Sequence, residues 1–276
     1  MTDSYPGGLF NLDGKIAVIT GGGGVLCGAM SRALGKAGVK VAILDLRLDS
    51  AQKVADEIRA AGGVALPVAC DVLDRASLEN AANAVMQAYG QVDILICGAG
   101  GNKPQATTSS EQSFFDLDPE AVRWVFDLNF TGTLLTSQVF GKLMVDRGQG
   151  VILNISSMNA FRPLTRIPAY SGAKASVSNF TQWLAVHMAQ EYSPYIRVNA
   201  IAPGFFVGEQ NRHFLLDEND ALTPRGKQII DHTPMARFGE PQDLLGTMFW
   251  LLSPASQFVT GVVVPVDGGF SAYGGV

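Results

Sequence analysis

The sequence predicts an α/β fold: one doubly wound parallel sheet of about seven strands with helices on both faces. Three observations predict it. Short apolar runs alternate with longer amphipathic stretches along the whole chain. The first run, Lys15–Thr20 (KIAVIT), ends in glycines 21–24 and passes directly into a helical period. Polar residues suited to ligand chemistry recur where the apolar runs end, and ligands of open parallel sheets bind beyond the strands' carboxyl ends.

A chain of 276 residues suits a single domain over 1–276, and no linker, internal repeat or low-complexity tract divides it. Hydrophobic residues at 47% against 16% charged indicate a packed core, not disorder. A net charge of −5 gives no basic footprint for nucleic acid or an anionic membrane surface. No apolar run reaches the roughly 18 residues that span a bilayer. The start, MTDSYPGGLFNLDGK, lacks the basic and apolar regions of a secretory signal. Cys27, Cys70 and Cys97 are an odd set without a CxxC, so a reducing cytoplasm is expected. His187, His213 and His232 show no metal-ligand spacing, and no metal is expected.

Taken in order, residues 1–14 read as a loose arm, followed by the KIAVIT strand. In GGGGVLCGAMSRALGKAG the glycines make a tight turn, and Met30, Ala33, Leu34 and Ala37 carry the helical period. Gly21, Gly24, Val25 and Leu26 thus sit where a helix N-terminus presents free N–H groups to a phosphate. The second strand, Lys40–Leu44, runs into Asp45, followed by Leu46 and Arg47. A carboxylate there can accept from a ribose 2′-hydroxyl and would repel a 2′-phosphate; it can equally be a strand-end turn residue or helix cap. NAD is therefore expected. The Arg47 guanidinium, able to neutralise a 2′-phosphate, keeps NADP as the alternative.

Helix 50–61 and strand 64–69 lead to Asp71 and Val72. Helix 76–89 and strand 93–97 lead to Gly98, Ala99 and Gly100. A polar loop over 101–118 precedes one long helix, 119–147, carrying Asn129. Strand 150–155 runs into Ser156 and Ser157. Pro168 suits a first helical turn, and Ala173, Val177, Phe180, Leu184 and Met188 form an apolar stripe reaching about Glu191. Strand 196–200 is followed by Pro203 and Gly204. The segment 205–237 has no strong period and reads as a substrate lid; helix 242–252 and strand 261–266 close the chain.

Tyr170 and Lys174, four residues apart, lie on one helix face. An ammonium beside a phenol favours the phenolate, and bringing a phenol near neutrality takes a shift of roughly 3 units. Alone this pair is weak evidence, but it does not stand alone. TGGGG (20–24), CDV (70–72), GAG (98–100), LNFTG (128–132), NISS (154–157), YSGAK (170–174), NAIAPG (199–204) and VDGG (266–269) occur in this order. Over essentially its whole length the chain resembles the short-chain dehydrogenase/reductase family. The resemblance implies a Rossmann-type sheet, a nicotinamide cofactor and commonly a homotetramer. It also implies that Tyr170 is the general acid/base, that Lys174 lowers its pKa and holds the nicotinamide ribose, that Ser157 orients the substrate oxygen, and that Asn129 anchors a water chain to Lys174. Gly21, Gly24, Val25, Leu26, Asp45, Leu46, Arg47, Asp71, Val72, Gly98, Ala99, Gly100, Tyr170, Lys174, Pro203, Gly204 and Phe206 would line the cofactor.

The chain departs from the family pattern at three places. The usual TGxxxGxG places its later glycines on Val25 and Cys27, with Gly28 one position late. The familiar NNAG becomes Cys97-Gly98-Ala99-Gly100. The threonine often found after PG is replaced near Gly208, so the main chain of Phe206 is expected to meet the carboxamide.

Polar and basic residues gather in the loops expected around the substrate: Asn102, Lys103, Asn159, Arg162, Arg166, Gln210, Asn211 and Arg212. They suit a small polyhydroxy acid better than an apolar sterol. GNKPQATT, SSMNAF, PGFFVGEQNR and VVPVDGGFSAYGGV resemble the D-mannonate oxidoreductases (fructuronate reductases) of this fold, implying D-fructuronate/D-mannonate as the substrate pair. A gluconate 5-dehydrogenase, another polyol dehydrogenase, or a catalytically silent dinucleotide-binding regulator are the alternatives.

Overall fold

The computed structural model describes residues 7–208 and 211–275. The strands are β1 (Ile16–Thr20), β2 (Lys40–Asp45), β3 (Ala65–Ala69), β4 (Ile94–Cys97), β5 (Gly150–Ile155), β6 (Ile196–Pro203) and β7 (Val263–Val266). They form one seven-stranded sheet in the order β3-β2-β1-β4-β5-β6-β7. Every pairing is parallel. The order reverses between β1 and β4, which opens a crevice at their carboxyl ends.

The helices are α1 (Val25–Lys36), α2 (Leu48–Ala60), α3 (Arg75–Tyr89), α4 (Pro119–Phe126), α5 (Gly132–Arg147), α6 (Pro168–His187), α7 (Arg212–Leu215), α8 (Pro224–Asp231) and α9 (Leu245–Leu252). Because side chains alternate along a strand, β1 feeds both faces of the sheet. Ile19 packs with Met30, Leu34, Ile43 and Met248 on the α1, α2 and α9 side. Val18 packs with Leu44, Leu78, Leu95 and Phe140 on the α3, α5 and α6 side. This two-sided burial is why the central strands read as unbroken apolar runs.

The fold departs from the sequence reading in four places. The arm is not loose over residues 7–14: Gly7–Phe10 form a helical turn, Leu12 is buried in the α1-side core, and Gly14 donates to Gly38 O at 3.1 Å. Residues 1–6 lie outside the described part. The expected long helix 119–147 is split by a π turn, Asp127–Thr131, where the Gly132 N–H reaches back five residues to Asp127 O. β6 continues through Pro203, with all eight of its residues buried. The lid segment contains two helices, of which α8 is started by Thr223, whose hydroxyl accepts from Gly226 N at 3.0 Å, and by Pro224 in the first turn.

Candidate active site

The glycine loop is shaped by close approach. Gly21 has φ +63°, and a Cβ there would lie 3.0 Å from the backbone of Gly98 and Ala99. A Cβ on Gly23 would lie 2.6 Å from Ser50 Cβ. Gly24 caps α1 with extended backbone and no side-chain bond, so the first amides of the helix are not claimed by a capping side chain. Asp45 reaches across from β2: one carboxylate oxygen accepts from Gly23 N and the other from Arg47 N, each at 3.1 Å. Leu46 and Arg47 beyond it are exposed. Asp71 is exposed and accepts from Leu73 N at 2.9 Å, while Val72 is buried against Gly132. Pro203 ends β6, and Gly204 is pressed onto Asp267 so closely that a Cβ would stand 2.6 Å from its Cα.

The polar residues expected to carry the chemistry converge beside this loop. Asn129 is fully buried inside the π turn. Its amide donates to Gly101 O at 2.7 Å and to Val125 O at 2.8 Å, and accepts from Gly101 N at 3.3 Å. The side chain thus takes a carbonyl that an α-helix would give to a backbone N–H, which accounts for the broken helix. A Cβ added to Gly100 would lie 2.6 Å from Asn129 Oδ1 and 3.2 Å from Lys174 Nζ, so all three meet at one point. Lys174 is buried, and its ammonium donates to Ile155 O at 2.8 Å. Burial pushes its pKa down to about 8. Its backbone is held by Ser156, whose hydroxyl donates to Lys174 O at 3.2 Å and shares a 2.6 Å bond with Ser178.

Tyr170 corrects one expectation. Its phenol is pushed up by burial, and the opposing influence is a hydrogen bond with Ser157, not the lysine. The Lys174 ammonium stands 5.6 Å from the Tyr170 ring centroid and is committed to Ile155 O. Ser157 is buried at the start of a short turn and accepts from Asn159 N at 3.3 Å. A partly buried phenol beside a hydroxyl, with a buried ammonium one helical turn away, is a group poised to donate a proton.

The expected substrate residues separate into groups. Asn102 is exposed and bonds Thr107, and Lys103 lies over the Trp124 ring, 4.2 Å from its centroid. Asn211 spends its amide on the lid itself, donating to Phe206 O at 2.8 Å and accepting from Gly208 N at 2.7 Å. Of the Phe206 main chain expected to meet a carboxamide, the carbonyl accepts this Asn211 bond. Arg212 is paired with Asp220. Arg162 and Arg166 are exposed, and Arg166 has φ +77°. Asn159 is 4% exposed, with its Oδ1 buried and without a hydrogen-bond partner among the described residues. Gln210 lies outside the described residues.

Comparison with known proteins settles the family. Residues 15–218 match the family model for short chain dehydrogenase. The chain is a short-chain dehydrogenase. It is an oxidoreductase like its relatives. The dehydrogenase is 54% identical over 275 residues to the uncharacterized oxidoreductase UxuB of Bacillus subtilis, covering 96% of this chain and 98% of that one. It superimposes with a TM-score of 0.91, at 48% identity over 96% of this chain and 98% of the other, on a Haemophilus influenzae protein provisionally assigned as a D-mannonate oxidoreductase, whose crystal structure holds NAD. It is 33% identical over 259 residues to the 7alpha-hydroxysteroid dehydrogenase of Escherichia coli K12, covering 94% of each.

Two departures of this dehydrogenase from the family pattern prove to be one. A Cβ at Gly98 would lie 2.1 Å from Cys27 Sγ. Cys27, at a position usually glycine, fills the space left by Gly98, at a position usually asparagine. The buried thiol serves as packing: burial pushes its pKa up to about 12. Sequence reasoning passed over Thr20, whose hydroxyl accepts from Gly98 N at 3.1 Å and Ala99 N at 3.3 Å and ties β1 to the β4 loop. Among the described residues no group of acidic, histidine or cysteine side chains could hold a metal ion, and no helix is long and apolar enough to cross a membrane.

Proposed function

We propose that the protein is an NAD-dependent oxidoreductase interconverting the ketone and alcohol of a sugar acid, with D-fructuronate and D-mannonate as the pair. The observation that carries the chemistry is the convergence of Asn129, Lys174 and the Tyr170–Ser157 pair at the β4–β5 carboxyl edge. The fit to a dinucleotide rests on the unclaimed first amides of α1, which suit a pyrophosphate, and on the Asp45 carboxylate. Asp45 retains lone pairs for ribose hydroxyls while opposing a 2′-phosphate. The NAD bound to the Haemophilus relative supports the same choice.

When bound, nicotinamide supplies or accepts the hydride. In reduction Tyr170 gives its phenolic proton to the oxygen that was the ketone, and Ser157 holds that oxygen by a hydrogen bond. Lys174 keeps a positive charge beside the phenol as it becomes anionic. Asn129 fixes Gly101 and, through the π turn, the wall on which Lys174 rests. A homotetramer, which the resemblance implies, is supported by the aromatic run Phe180, Trp183, His187 and Tyr192 at the outer face of α6.

The test is a panel assayed by nicotinamide absorbance with NADH and with NADPH. D-fructuronate, 5-ketogluconate, neutral ketoses and a 7-oxo bile acid are the ketones. Fructuronate reduced with NADH is the expected outcome. Preference for 5-ketogluconate would move the assignment to a gluconate 5-dehydrogenase. Cofactor binding without turnover of any member would mark a regulator.

A further inference from the structure

Ser156 lies next to the reacting groups but takes no part in the chemistry above. It is buried, and its amide still follows the sheet, donating to Ile201 O at 2.8 Å. Its hydroxyl leaves the sheet for α6. There it donates to Lys174 O at 3.2 Å and shares the 2.6 Å bond with Ser178. A serine hydroxyl has one proton, so while Ser156 gives its own to Lys174 O, the Ser178 hydroxyl donates to Ser156.

These bonds belong to a series. Asn154 Nδ2 donates to Thr181 Oγ1 at 2.9 Å. Ile155 O accepts from Lys174 Nζ at 2.8 Å. Ser156 holds Lys174 O and Ser178, and Ser157 bonds the Tyr170 phenol. Consecutive residues at the end of β5 thus each take hold of α6, and their partners run backwards along it through Thr181, Ser178, Lys174 and Tyr170. Spacings of three and four residues put those partners on one helix face.

The links differ in slack. The Lys174 ammonium sits on a flexible four-carbon stem that can follow a shifted helix. Asn154 and Thr181 meet about three turns along α6 from Tyr170. Ser156 is short, and it grips the Lys174 backbone itself. Slipping a helix by one residue moves it about 1.5 Å along its axis and turns it by about 100°, so a fraction of that carries a phenol out of hydrogen-bond reach. Without Ser156, the Ser178 hydroxyl can turn to the carbonyl four residues back on its own helix. Ser176 and Thr181 already do so, to Gly172 O at 3.0 Å and Val177 O at 2.8 Å. The helix would then keep its hydrogen bonds and lose its grip on the strand.

We infer that Ser156, backed by Ser178, is a positioning residue that fixes the register of α6 against β5, and with it the reach of Lys174 to Ile155 and of Tyr170 to Ser157. It acts through those groups and is neither acid nor base. The inference rests on Tyr170 as the proton donor, and not on which ketone is reduced.

The test compares the wild type with Ser156→Ala, Ser178→Ala, their double variant and Ser178→Thr. Thr181→Val is the control, removing a buried hydroxyl bond to the strand from the same helix face. The substrate is whichever ketone of the panel above the wild type reduces with NADH. Ser156→Ala should lower kcat about 10- to 100-fold, the scale of a misplacement of about an ångström, with NADH affinity within about threefold. Ser178→Ala should lose less, because Ser156 keeps Lys174 O, and the double variant should be no worse than Ser156→Ala. Ser178→Thr retains the hydroxyl and should retain the rate. Thr181→Val should lower the urea midpoint at least as far as Ser156→Ala and leave kcat within about twofold. A kcat that follows the urea midpoint across the set, or a wild-type rate in Ser156→Ala, overturns the positioning role.

A second measurement needs no ketone. With tyrosine labelled by 13C at Cζ, the Tyr170 resonance is the one missing from Tyr170→Phe. Ser156→Ala should raise its titration midpoint, because the phenolate loses a hydrogen bond that favours it, and Thr181→Val should leave it in place. If the wild type reduces no ketone of the panel, the proposed activity fails and this resonance decides the register alone. A midpoint moved by Ser156→Ala and not by Thr181→Val keeps the positioning role; any other pattern overturns it.

Discussion

The two halves of the carboxyl edge are built on opposite principles. On the β1, β2 and β4 side, polar groups satisfy one another: Thr20 serves Gly98 and Ala99, Asp45 serves Gly23 and Arg47, and Asn129 serves Gly101 and Val125. On the β5 and β6 side Lys174, Ser156 and Asn211 are likewise bonded, but Asn159 Oδ1 is buried without a hydrogen-bond partner among the described residues. The non-glycine residues with positive φ among those described, Arg166, Asp220 and Ala236, all lie on this second side. Unsatisfied groups and strain cost free energy, about 1–3 kcal/mol for each strained or orphaned group. They persist where a ligand supplies what the fold withholds. The strained and orphaned groups therefore gather on the second half.

The sharpest way to break this contrast is Tyr170→Phe, which lies on the boundary. Removing only the phenolic oxygen should lower kcat by roughly 10²–10⁴, the usual worth of a positioned acid/base. If the halves are independent, NAD affinity measured by fluorescence titration should not move. A loss of cofactor binding equal to the loss of turnover would show that the preassembled half depends on the reacting one.

Lys174 tests the same boundary through pH. Its folded pKa is depressed to about 8 against an ordinary 10.5. Between those values the unfolded chain binds more protons than the folded one, so this residue's contribution to stability rises with pH through the window and is lost as pH falls back through about 8. The full difference is about 3 kcal/mol. In urea unfolding, the stability of the wild type minus that of Lys174→Met should therefore climb from pH 8 upward. Groups raised by burial, such as Tyr170 and Cys97, act in the opposite sense above their ordinary values but are present in both proteins and largely cancel. A flat difference would mean that the ammonium carries no burial penalty.

The same contrast explains what could be read in the sequence. Every strand was legible because strand burial is a local property with a fixed period, and helix spacing put Tyr170 and Lys174 on one face; Ser157 and Asn129 came from the family resemblance. The π turn was not: the Asn129 amide takes Val125 O from the helix ladder while it bonds across to Gly101, a contact 28 residues away in the chain. Nor was the balance at Tyr170, because i,i+4 spacing puts Lys174 on the right face without revealing that Ile155 O holds its ammonium. The lid was the least legible part. Its short helices carry too few turns for a period. Arg212, Lys103 and Asn211 looked equally available until their partners were placed.

The smallest effect concerns the preassembled half alone. Cys27 fills the volume that a side chain at position 98 needs, with 2.1 Å between the added Cβ and the sulfur. Gly98→Ala should destabilise by about 1–3 kcal/mol through overpacking. Cys27→Ala leaves only the Cys27 Cβ, 3.6 Å from the new group, so the double variant should recover a large part of that loss. Recovery stays incomplete because the added Cβ still stands 2.9 Å from Thr20 O, a backbone atom that cannot swing aside. Urea unfolding of the four proteins gives the coupling directly. NAD affinity should follow stability across the cycle, while KM for the substrate should not, since the loop from Gly98 to Gly100 belongs to the cofactor side. Additive losses, or a KM that tracks the cycle, would mean that packing beneath the glycine loop reaches the substrate half and that the two are not built separately.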